Sequence, residues 1–163
     1  MTLSDVNAWD RHDFIEKLGW VFERSPWVAE RAWARRPFAT LDALHSSMTA
    51  EVEAASPEER LALLRAHPDL GTRARMSRAS SDEQGGAGLD RLTPGEFGAL
   101  RRLNTAYREK FGFPFLHAVK GSTKHDILRA LEARLPSNRE DELAEAFRQV
   151  ARIARFRLEE LIS

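Results

Sequence analysis

Residues 138–162 read NREDELAEAFRQVARIARFRLEELI, and apolar side chains recur in this stretch every three or four positions. On a helix of 3.6 residues per turn, such spacing gathers the apolar side chains into one stripe. The stripe predicted here consists of Leu143, Phe147, Val150, Ala154, Leu158 and Leu161. The segment therefore predicts a long amphipathic helix that buries this stripe in the protein core.

Arg157 falls within that apolar stripe, whereas Arg148, Arg152 and Arg155 fall on the opposite, solvent face of the same helix. An unpaired guanidinium is too costly to bury, so Arg157 needs a partner. One interpretation is a structural ion pair with a buried carboxylate. The other is a clamp for an anionic or multiply hydrogen-bonding substrate. The helix alone leaves both interpretations open.

The rest of the chain also has a helical pattern, without alternating runs of β-branched residues. Ser56-Pro57-Glu58-Glu59 and Thr93-Pro94-Gly95-Glu96 each place a hydroxyl at the N-cap, a proline at N1 and a glutamate at N3. We predict an all-α fold, a compact single-domain bundle of about seven to nine helices over residues 1–163. The predicted helices lie at about 11–18, 26–35, 40–55, 57–66, 94–110, 123–134 and 138–162, with a shorter one at about 81–86.

Composition narrows the classes of function. A chain of 163 residues with 42% hydrophobic content can bury one sizeable core. Lys and Arg number 25 and Asp and Glu number 25, so no net charge attracts nucleic acid or an anionic membrane. The absence of cysteine excludes thiolate nucleophiles and thiolate metal sites. No signal pattern or apolar run of roughly 18 residues is seen, and we predict a cytoplasmic protein.

One long irregular segment, residues 67–92, carries most of the unusual polar residues and several glycines. Loops of this length inside compact domains are usually functional. His67 follows a predicted helix and precedes Pro68, which disfavours further helix and exposes the imidazole at a fixed turn. An imidazole titrates near neutral pH and suits a general acid or base. The alternative is a histidine that caps the helix against its dipole.

Two other stretches invite a functional interpretation. A polar run stands at a predicted helix start and could serve a functional site: Ser80, Ser81, Asp82, Glu83 and Gln84. The structural alternative is a capping motif with Glu83 at N3. The aromatic run 111–115 ends a helix at Gly112 and turns extended at Pro114. Extended backbone leaves amides free to bind a flat heterocycle, although a core-filling plug explains the composition equally well. The basic run Arg73, Arg75 and Arg78 is interpreted as a solvated loop.

The sequence does not favour a metal or phosphate site. The Gly-rich stretch 85–88 lacks the lysine and the preceding strand of a phosphate-binding loop. A metal site is disfavoured because the histidines show no i, i+4 pairing with a nearby third ligand: His12, His45, His67, His117 and His125. We therefore predict chemistry without metal or other cofactor.

Several separated motifs, taken together and in order, resemble the 2-oxo-4-hydroxy-4-carboxy-5-ureidoimidazoline (OHCU) decarboxylase family, which converts the last unstable intermediate of uric acid breakdown into (S)-allantoin. The likeness covers nearly the whole chain, and several motifs in one order are more specific than any single pattern. The motifs are Ser25-Pro26-Trp27-Val28-Ala29-Glu30, Arg36-Pro37-Phe38, His67-Pro68-Asp69-Leu70-Gly71, residues 80–84 with Ala87-Gly88-Leu89, residues 104–107, residues 111–115, Ile153-Ala154 and Arg157-Leu158.

The resemblance implies a cofactor-free carboxy-lyase of purine degradation in which His67 transfers a proton and Glu83 is its acidic partner. It also implies contacts to a small-molecule substrate from Pro68, Ser80, Ser81, Asp82, Gln84, Phe115, Leu116, His117, Ala118, Val119 and Arg157. A homodimer is expected as well, with Trp9, Trp20, Trp27 and Trp33 as aromatic surface for it. The rival hypothesis is a non-catalytic helical interaction module in which Arg157 forms a structural ion pair.

Overall fold

A computed structural model describes residues 1–71 and 77–163 of the chain, and Arg73 and Arg75 of the basic run lie outside the described residues. The described residues contain nine α-helices and no strand, which confirms the all-α prediction and its helix number. A short 3-10 helix, Trp33–Arg35, directly follows the third helix. The helices are α1 Leu3–Ala8, α2 Arg11–Leu18, α3 Trp27–Ala32, α4 Leu41–Ala54, α5 Pro57–Arg65, α6 Arg78–Gly86, α7 Pro94–Phe111, α8 Lys124–Arg134 and α9 Arg139–Leu161.

The chain divides into two compact units. The first comprises residues 1–66 and 151–163, and the second comprises residues 67–150. Helix α9 therefore contributes its first half to the second unit and its second half to the first. That residues 1–163 act as one domain stays a prediction. None of the helices in the described part of the chain is long and apolar enough to span a bilayer.

Helix starts follow directly from local side-chain chemistry. The Ser56 hydroxyl accepts the Glu59 amide at 3.1 Å, and the Glu59 carboxylate accepts the Ser56 amide at 3.2 Å. Thr93 begins α7 in the same reciprocal way, so both predicted capping boxes are confirmed. Helix α1 was not predicted from the sequence. It begins with a reciprocal pair between Thr2 and Asp5, in which aspartate replaces the glutamate that the sequence rule looks for.

The first unit has its core where α3 packs against α2 and α4. One helix-to-loop contact fixes the chain after α3, because the Asn7 side chain bonds both the amide and the carbonyl of Phe38 at 2.8 Å. Phe38 then stacks on Phe14 with ring centroids 6.1 Å apart. The buried helical side chains of this core include Phe14, Leu18, Val28, Ala29, Ala32, Leu44, Met48 and Val52.

The second unit is organised around α7. Four buried residues lie along one face of this helix at spacings of three and four: Leu100, Asn104, Tyr107 and Phe111. The Tyr107 ring is an aromatic hub, with Phe111 at 4.5 Å, Phe113 at 6.0 Å and Phe115 at 5.5 Å between ring centroids. The aromatic run after α7 thus folds back onto the helix that precedes it.

The face that α9 buries differs from the predicted one. Val150, Ala154 and Leu158 are buried as expected, but Leu143, Phe147 and Leu161 are only half-buried. The buried face includes Arg157, which was predicted to lie within the stripe, and also Ala146, Glu142 and Gln149, which were not. The prediction was wrong for these three apolar residues because a hydrophobic stripe cannot reveal polar side chains that find buried partners.

A pH dependence follows from the contacts of Glu96. Its carboxylate accepts Lys124 Nζ at 2.7 Å and the Thr93 amide at 2.9 Å, and these two hydrogen bonds lower the pKa of Glu96 from 4.5 to about 2. Stability from a depressed carboxyl pKa is fully present above pH 4.5 and is lost as the pH falls towards 2. We expect Glu96→Gln to lower the melting temperature near neutral pH, and the difference from wild type to shrink over that window. A constant difference from neutral to acid pH would contradict this assignment.

Candidate active site

The His67 segment, residues 67–71, is held in place by side chains of the second unit. Gln84 Oε1 accepts the Gly71 amide at 2.8 Å, Asn104 Nδ2 donates to the Leu70 carbonyl at 2.9 Å, and Arg108 pairs with Asp69 at 2.7 Å. His67 itself is 6% exposed, so the imidazole is buried and not exposed as the sequence predicted. The C-cap of α5 is Ala66, and His67 is the first residue after it.

Gly71 ends this segment in a conformation that only glycine takes readily. Its φ is +73°, and a Cβ atom there would lie 2.4 Å from Leu100 Cδ2 and 3.1 Å from Leu92 Cδ1. The backbone therefore approaches α7 more closely than a larger residue would permit. With Gln84, Asn104 and this contact, the turn after His67 is fixed from two helices.

Helix α6 carries the predicted polar run, and it begins earlier than the sequence indicated. Ser77 is the N-cap, and its hydroxyl accepts the Ser80 amide at 3.1 Å, which makes Ser80 the N3 residue. The alternative interpretation of Glu83 as the N3 capping residue is therefore wrong. Several serines precede Glu83, and each is a suitable N-cap, so the sequence did not show which one begins the helix.

The polar residues of α6 divide between two faces of the helix. Ser80 and Gln84, four residues apart, are buried, and Glu83 beside them is half-buried. Ser81 and Asp82 are exposed, and Asp82 is 3.9 Å from Arg78, its neighbour one turn earlier. The structure thus brings Ser80, Glu83 and Gln84 to one side of the helix and does not bring the side chains of Ser81 and Asp82 there. Substrate binding by this group stays a prediction.

The aromatic segment, residues 112–119, follows α7 and begins at Gly112, which has a φ of +81°. Phe115, Leu116, Ala118 and Val119 are buried, and His117 is half-buried with its ring stacked on Phe115 at 6.0 Å. Two backbone groups of this segment already have side-chain partners. Gln149 Oε1 accepts the Ala118 amide at 2.9 Å, and Arg134 Nη1 donates to the Leu116 carbonyl at 2.6 Å. The Ala118 amide is therefore not one of the free amides expected from the sequence.

Arg157 has the buried partner that the sequence required. Its Nη2 lies 2.9 Å from Glu23 Oε2, with side-chain exposures of 2% and 1%, and its Nη1 donates to the Trp20 carbonyl at 3.0 Å. The Trp20 ring lies 5.6 Å from the guanidinium carbon. An ion pair of this kind is the structural role considered for Arg157. Arg157 lies in the first unit and His67 and Glu83 in the second, and their predicted convergence on one pocket stays a prediction.

Sequence reasoning missed several side chains that hold the predicted site segments directly or through a neighbour: Asn104, Arg108, Arg134, Glu142 and Gln149. Three of them, Asn104, Glu142 and Gln149, are buried polar residues on otherwise apolar helix faces. The sequence signal that could have found them is a polar residue inside an apolar helical stripe, and only Arg157 was identified in this way. The same test along α7 and α9 would have marked the other three.

One group in the described part of the chain has ligand atoms close enough together for a metal ion: His12, Asp13 and Glu16 on α2, within 4.8 Å of one another. His12 and Glu16 are four residues apart, a histidine and carboxylate spacing that the search for paired histidines does not cover. His12 and Glu16 are exposed, at 85% and 64% of their side chains, and 3.8 Å apart. Exposed groups of this kind are common on helices, and we assign it no metal.

Comparisons with a family model and with related sequences indicate the same protein family for this chain. The family model described as OHCU decarboxylase matches residues 7–159. The chain is 46% identical to the 2-oxo-4-hydroxy-4-carboxy-5-ureidoimidazoline decarboxylase of Haloferax volcanii, over 100% of this chain and 97% of that protein. It is 45% identical to the protein of the same name from Halalkalicoccus jeotgali, over 99% of this chain and 92% of that one. A uric acid degradation bifunctional protein of Bacillus subtilis is 48% identical over 99% of this chain, which spans 33% of that protein.

Solved structures agree with the sequence comparisons. The crystal structure of (S)-allantoin synthase matches with a TM-score of 0.81 and 33% identity, over 100% of this chain and 54% of that one. An OHCU decarboxylase crystallised in the presence of (S)-allantoin matches with a TM-score of 0.69 over 83% of this chain. At 23% identity, that second match supports the fold alone.

Proposed function

This chain belongs to the OHCU decarboxylase family and is a carboxy-lyase of uric acid degradation, and we propose that His67 transfers the proton in its conversion of OHCU to (S)-allantoin. The observation that carries the assignment to His67 is its burial at the start of a segment fixed by Gln84 and Asn104. A buried imidazole in a fixed segment can present its proton from one direction only, as stereospecific protonation requires.

The substrate contains its own electron sink. Its carboxylate and hydroxyl stand on one ring carbon, beside a carbonyl and an imine-like nitrogen that accepts the electrons released as carbon dioxide leaves. The protein must then orient the scissile carboxylate out of the ring plane, stabilise the developing enolate charge and deliver a proton to one face. We propose that these tasks need no cofactor.

Glu83 is proposed to set the tautomer or the position of the His67 imidazole. Support comes from α6, where Glu83 lies beside the buried residues Ser80 and Gln84, and from Gln84, which itself holds Gly71. The hydrogen bond between Gln84 and Gly71 thus ties α6 to the His67 segment, one residue after Glu83. We propose Pro68, Ser80, Gln84 and the segment 115–119 as substrate contacts, together with Ser81 and Asp82, whose side chains are exposed.

Arg157 is proposed to contact the carbonyl or ureido end of the substrate ring. A guanidinium on the scissile carboxylate would stabilise the ground state, since that charge leaves with carbon dioxide. Charge that develops elsewhere in the transition state is a better target for a catalyst. The ion pair with Glu23 fixes the direction of the guanidinium, and it is also the structural role that competes with this proposal.

A small molecule is the expected partner of this enzyme family, and we propose a cytoplasmic homodimer without nucleic acid or membrane partners. The balanced charge of the chain supports the last part of that proposal. Trp20 is 36% exposed, and Trp9, Trp27 and Trp33 are half-buried. This aromatic surface near the N-terminus is the support for the dimer.

The direct test generates OHCU fresh with uricase and hydroxyisourate hydrolase, adds this protein, and follows carbon dioxide release together with the circular dichroism of the allantoin formed. We expect accelerated release and the (S)-enantiomer. Release at the uncatalysed rate, with racemic product, would instead favour the non-catalytic helical interaction module.

A second expectation concerns cofactors. Because the substrate accepts its own electrons, activity should survive exhaustive dialysis against a chelator. The same assay before and after dialysis measures this. Activity that is lost on dialysis and restored by zinc or manganese would remove the proposed mechanism.

A further inference from the structure

Arg134, at the C-terminal end of α8, joins three parts of the second unit. Its Nε donates to Glu142 Oε1 at 2.8 Å, its Nη1 donates to the Leu116 carbonyl at 2.6 Å, and its guanidinium carbon lies 4.6 Å from the centre of the Phe115 ring. The side chain is 14% exposed and that of Glu142 is 4% exposed. A single planar group therefore connects α9 to the backbone of the aromatic segment.

The partner of Arg134 is itself fixed from a third element. Tyr107 on α7 donates its hydroxyl to Glu142 Oε1 at 2.6 Å, and its ring meets Phe115 edge-on at 5.5 Å. Burial and the neighbouring Glu142 raise the pKa of Tyr107 above its ordinary value, so the phenol keeps its proton and remains a donor. Glu142 thus receives two donors at one oxygen and cannot easily turn away from Arg134.

The charges of Arg134 and Glu142 fix the positions of their neighbours, an effect separate from any contribution to the free energy of unfolding. A buried ion pair is often no more stable than a well-packed apolar pair, because desolvation offsets the attraction. What a guanidinium adds is a rigid fork that can hold two acceptors in fixed relation. Here the two acceptors are the Glu142 carboxylate and a backbone carbonyl at residue 116.

We propose that Arg134 is a positioning residue for the reaction: its fork between Glu142 and the Leu116 carbonyl sets the backbone of residues 115–119 for substrate binding. This inference rests on the proposed function, which places that backbone against the substrate. Arg134 acts through the segment and does not itself touch the substrate. Gln149, at the Ala118 amide, holds the same segment from α9.

The discriminating variant is Arg134→Lys. Lysine keeps the positive charge opposite Glu142, so no buried charge is left alone, but its single ammonium has no planar fork to hold both acceptors. We expect KM to rise and kcat/KM to fall by about one to two orders of magnitude, with a smaller change in kcat, because a loosened binding segment weakens ground-state and transition-state binding together. Hydrogen exchange of a peptide covering residues 115–119 should accelerate in the same variant.

Arg139→Lys is the matched control. Arg139 also donates to a carbonyl, that of Phe111 at 3.3 Å, and also lies near an aromatic ring, that of Phe113 at 5.8 Å. It does not hold residues 115–119, so kcat, KM and exchange of that peptide should stay at wild-type values. Should Arg134→Lys fail to fold, Arg134→Gln combined with Glu142→Gln removes the fork without leaving a lone charge, and the same rise in KM is expected.

Three results would overturn the inference: unchanged exchange at residues 115–119 in Arg134→Lys, faster exchange with unchanged KM and kcat/KM, or an equal loss in Arg139→Lys. Exchange is measured without substrate and does not depend on the proposed reaction. Failure of the proposed function shows separately, as wild-type protein that does not accelerate carbon dioxide release. The two failures are therefore distinguishable.

Discussion

Replacing His67 by asparagine should lower turnover by about two to four orders of magnitude, the usual contribution of a positioned general acid or base. Asparagine keeps a polar side chain of similar reach in this buried position but cannot exchange a proton near neutral pH. The fold and the binding of (S)-allantoin should be retained. The initial rate of allantoin formation from freshly generated OHCU measures the effect, and His12→Asn, at a histidine with an 85% exposed side chain, is the control.

Product configuration is a sharper readout of His67 than the rate. Uncatalysed decay of the intermediate protonates either face, so the product formed with His67→Asn should be nearly racemic, whereas wild type should give one enantiomer. Glu83→Gln should act on the same step, and the double variant should be far from additive. A strong enantiomeric excess with His67→Asn would mean that another residue delivers the proton.

Replacing Arg157 by leucine should cost about 3 to 5 kcal/mol of unfolding free energy, because it leaves the buried Glu23 carboxylate without its cationic partner. An Arg157 that served only as a substrate clamp would predict little change in stability for this variant. The contacts of Arg157 with Glu23 and the Trp20 carbonyl reverse that expectation. Denaturant unfolding of the ligand-free protein measures it.

Two further variants separate the ion pair from other effects of the substitution. Arg155→Leu, on the same helix, breaks partly exposed pairs with Glu159 and Asp42 and should cost no more than about 1 kcal/mol. Glu23→Leu combined with Arg157→Leu should recover most of the lost stability. An Arg157→Leu protein as stable as wild type would contradict the ion-pair role. Full decarboxylase activity in the double variant would show that Arg157 has no part in substrate binding.

Local chemistry in the sequence was sufficient for most helix starts and insufficient where several caps compete. Ser56 and Thr93 each stand before a proline and have a glutamate at N3, a combination that indicates a single helix start. Before Glu83, by contrast, Ser77, Ser80 and Ser81 all qualify as caps, and the helix begins at the first of them. Helix starts marked by a single strong capping signal were thus predictable from the sequence, and starts with several equivalent N-cap residues were not.

The partners of the site residues were beyond sequence reasoning, because they are set by tertiary packing. Asn104 holds a carbonyl 34 residues away, and Arg157 pairs with a carboxylate 134 residues away. No local period connects such positions. The sequence did show that Arg157 needs a partner, since that is a chemical requirement of one buried residue in its own helix. The roles of His67 and of the polar run on α6 stay predictions.

Helix α7 determines where this chain can change length during evolution. Asn104 on α7 holds the turn after His67, and Tyr107, three residues later, contacts Phe115 and Glu142. One inserted or deleted residue between Leu100 and Asn104 would rotate everything beyond it by about 100° and disengage both groups at once. Relatives of different length should therefore place their insertions and deletions in connections such as residues 120–123, and never between residues 100 and 107.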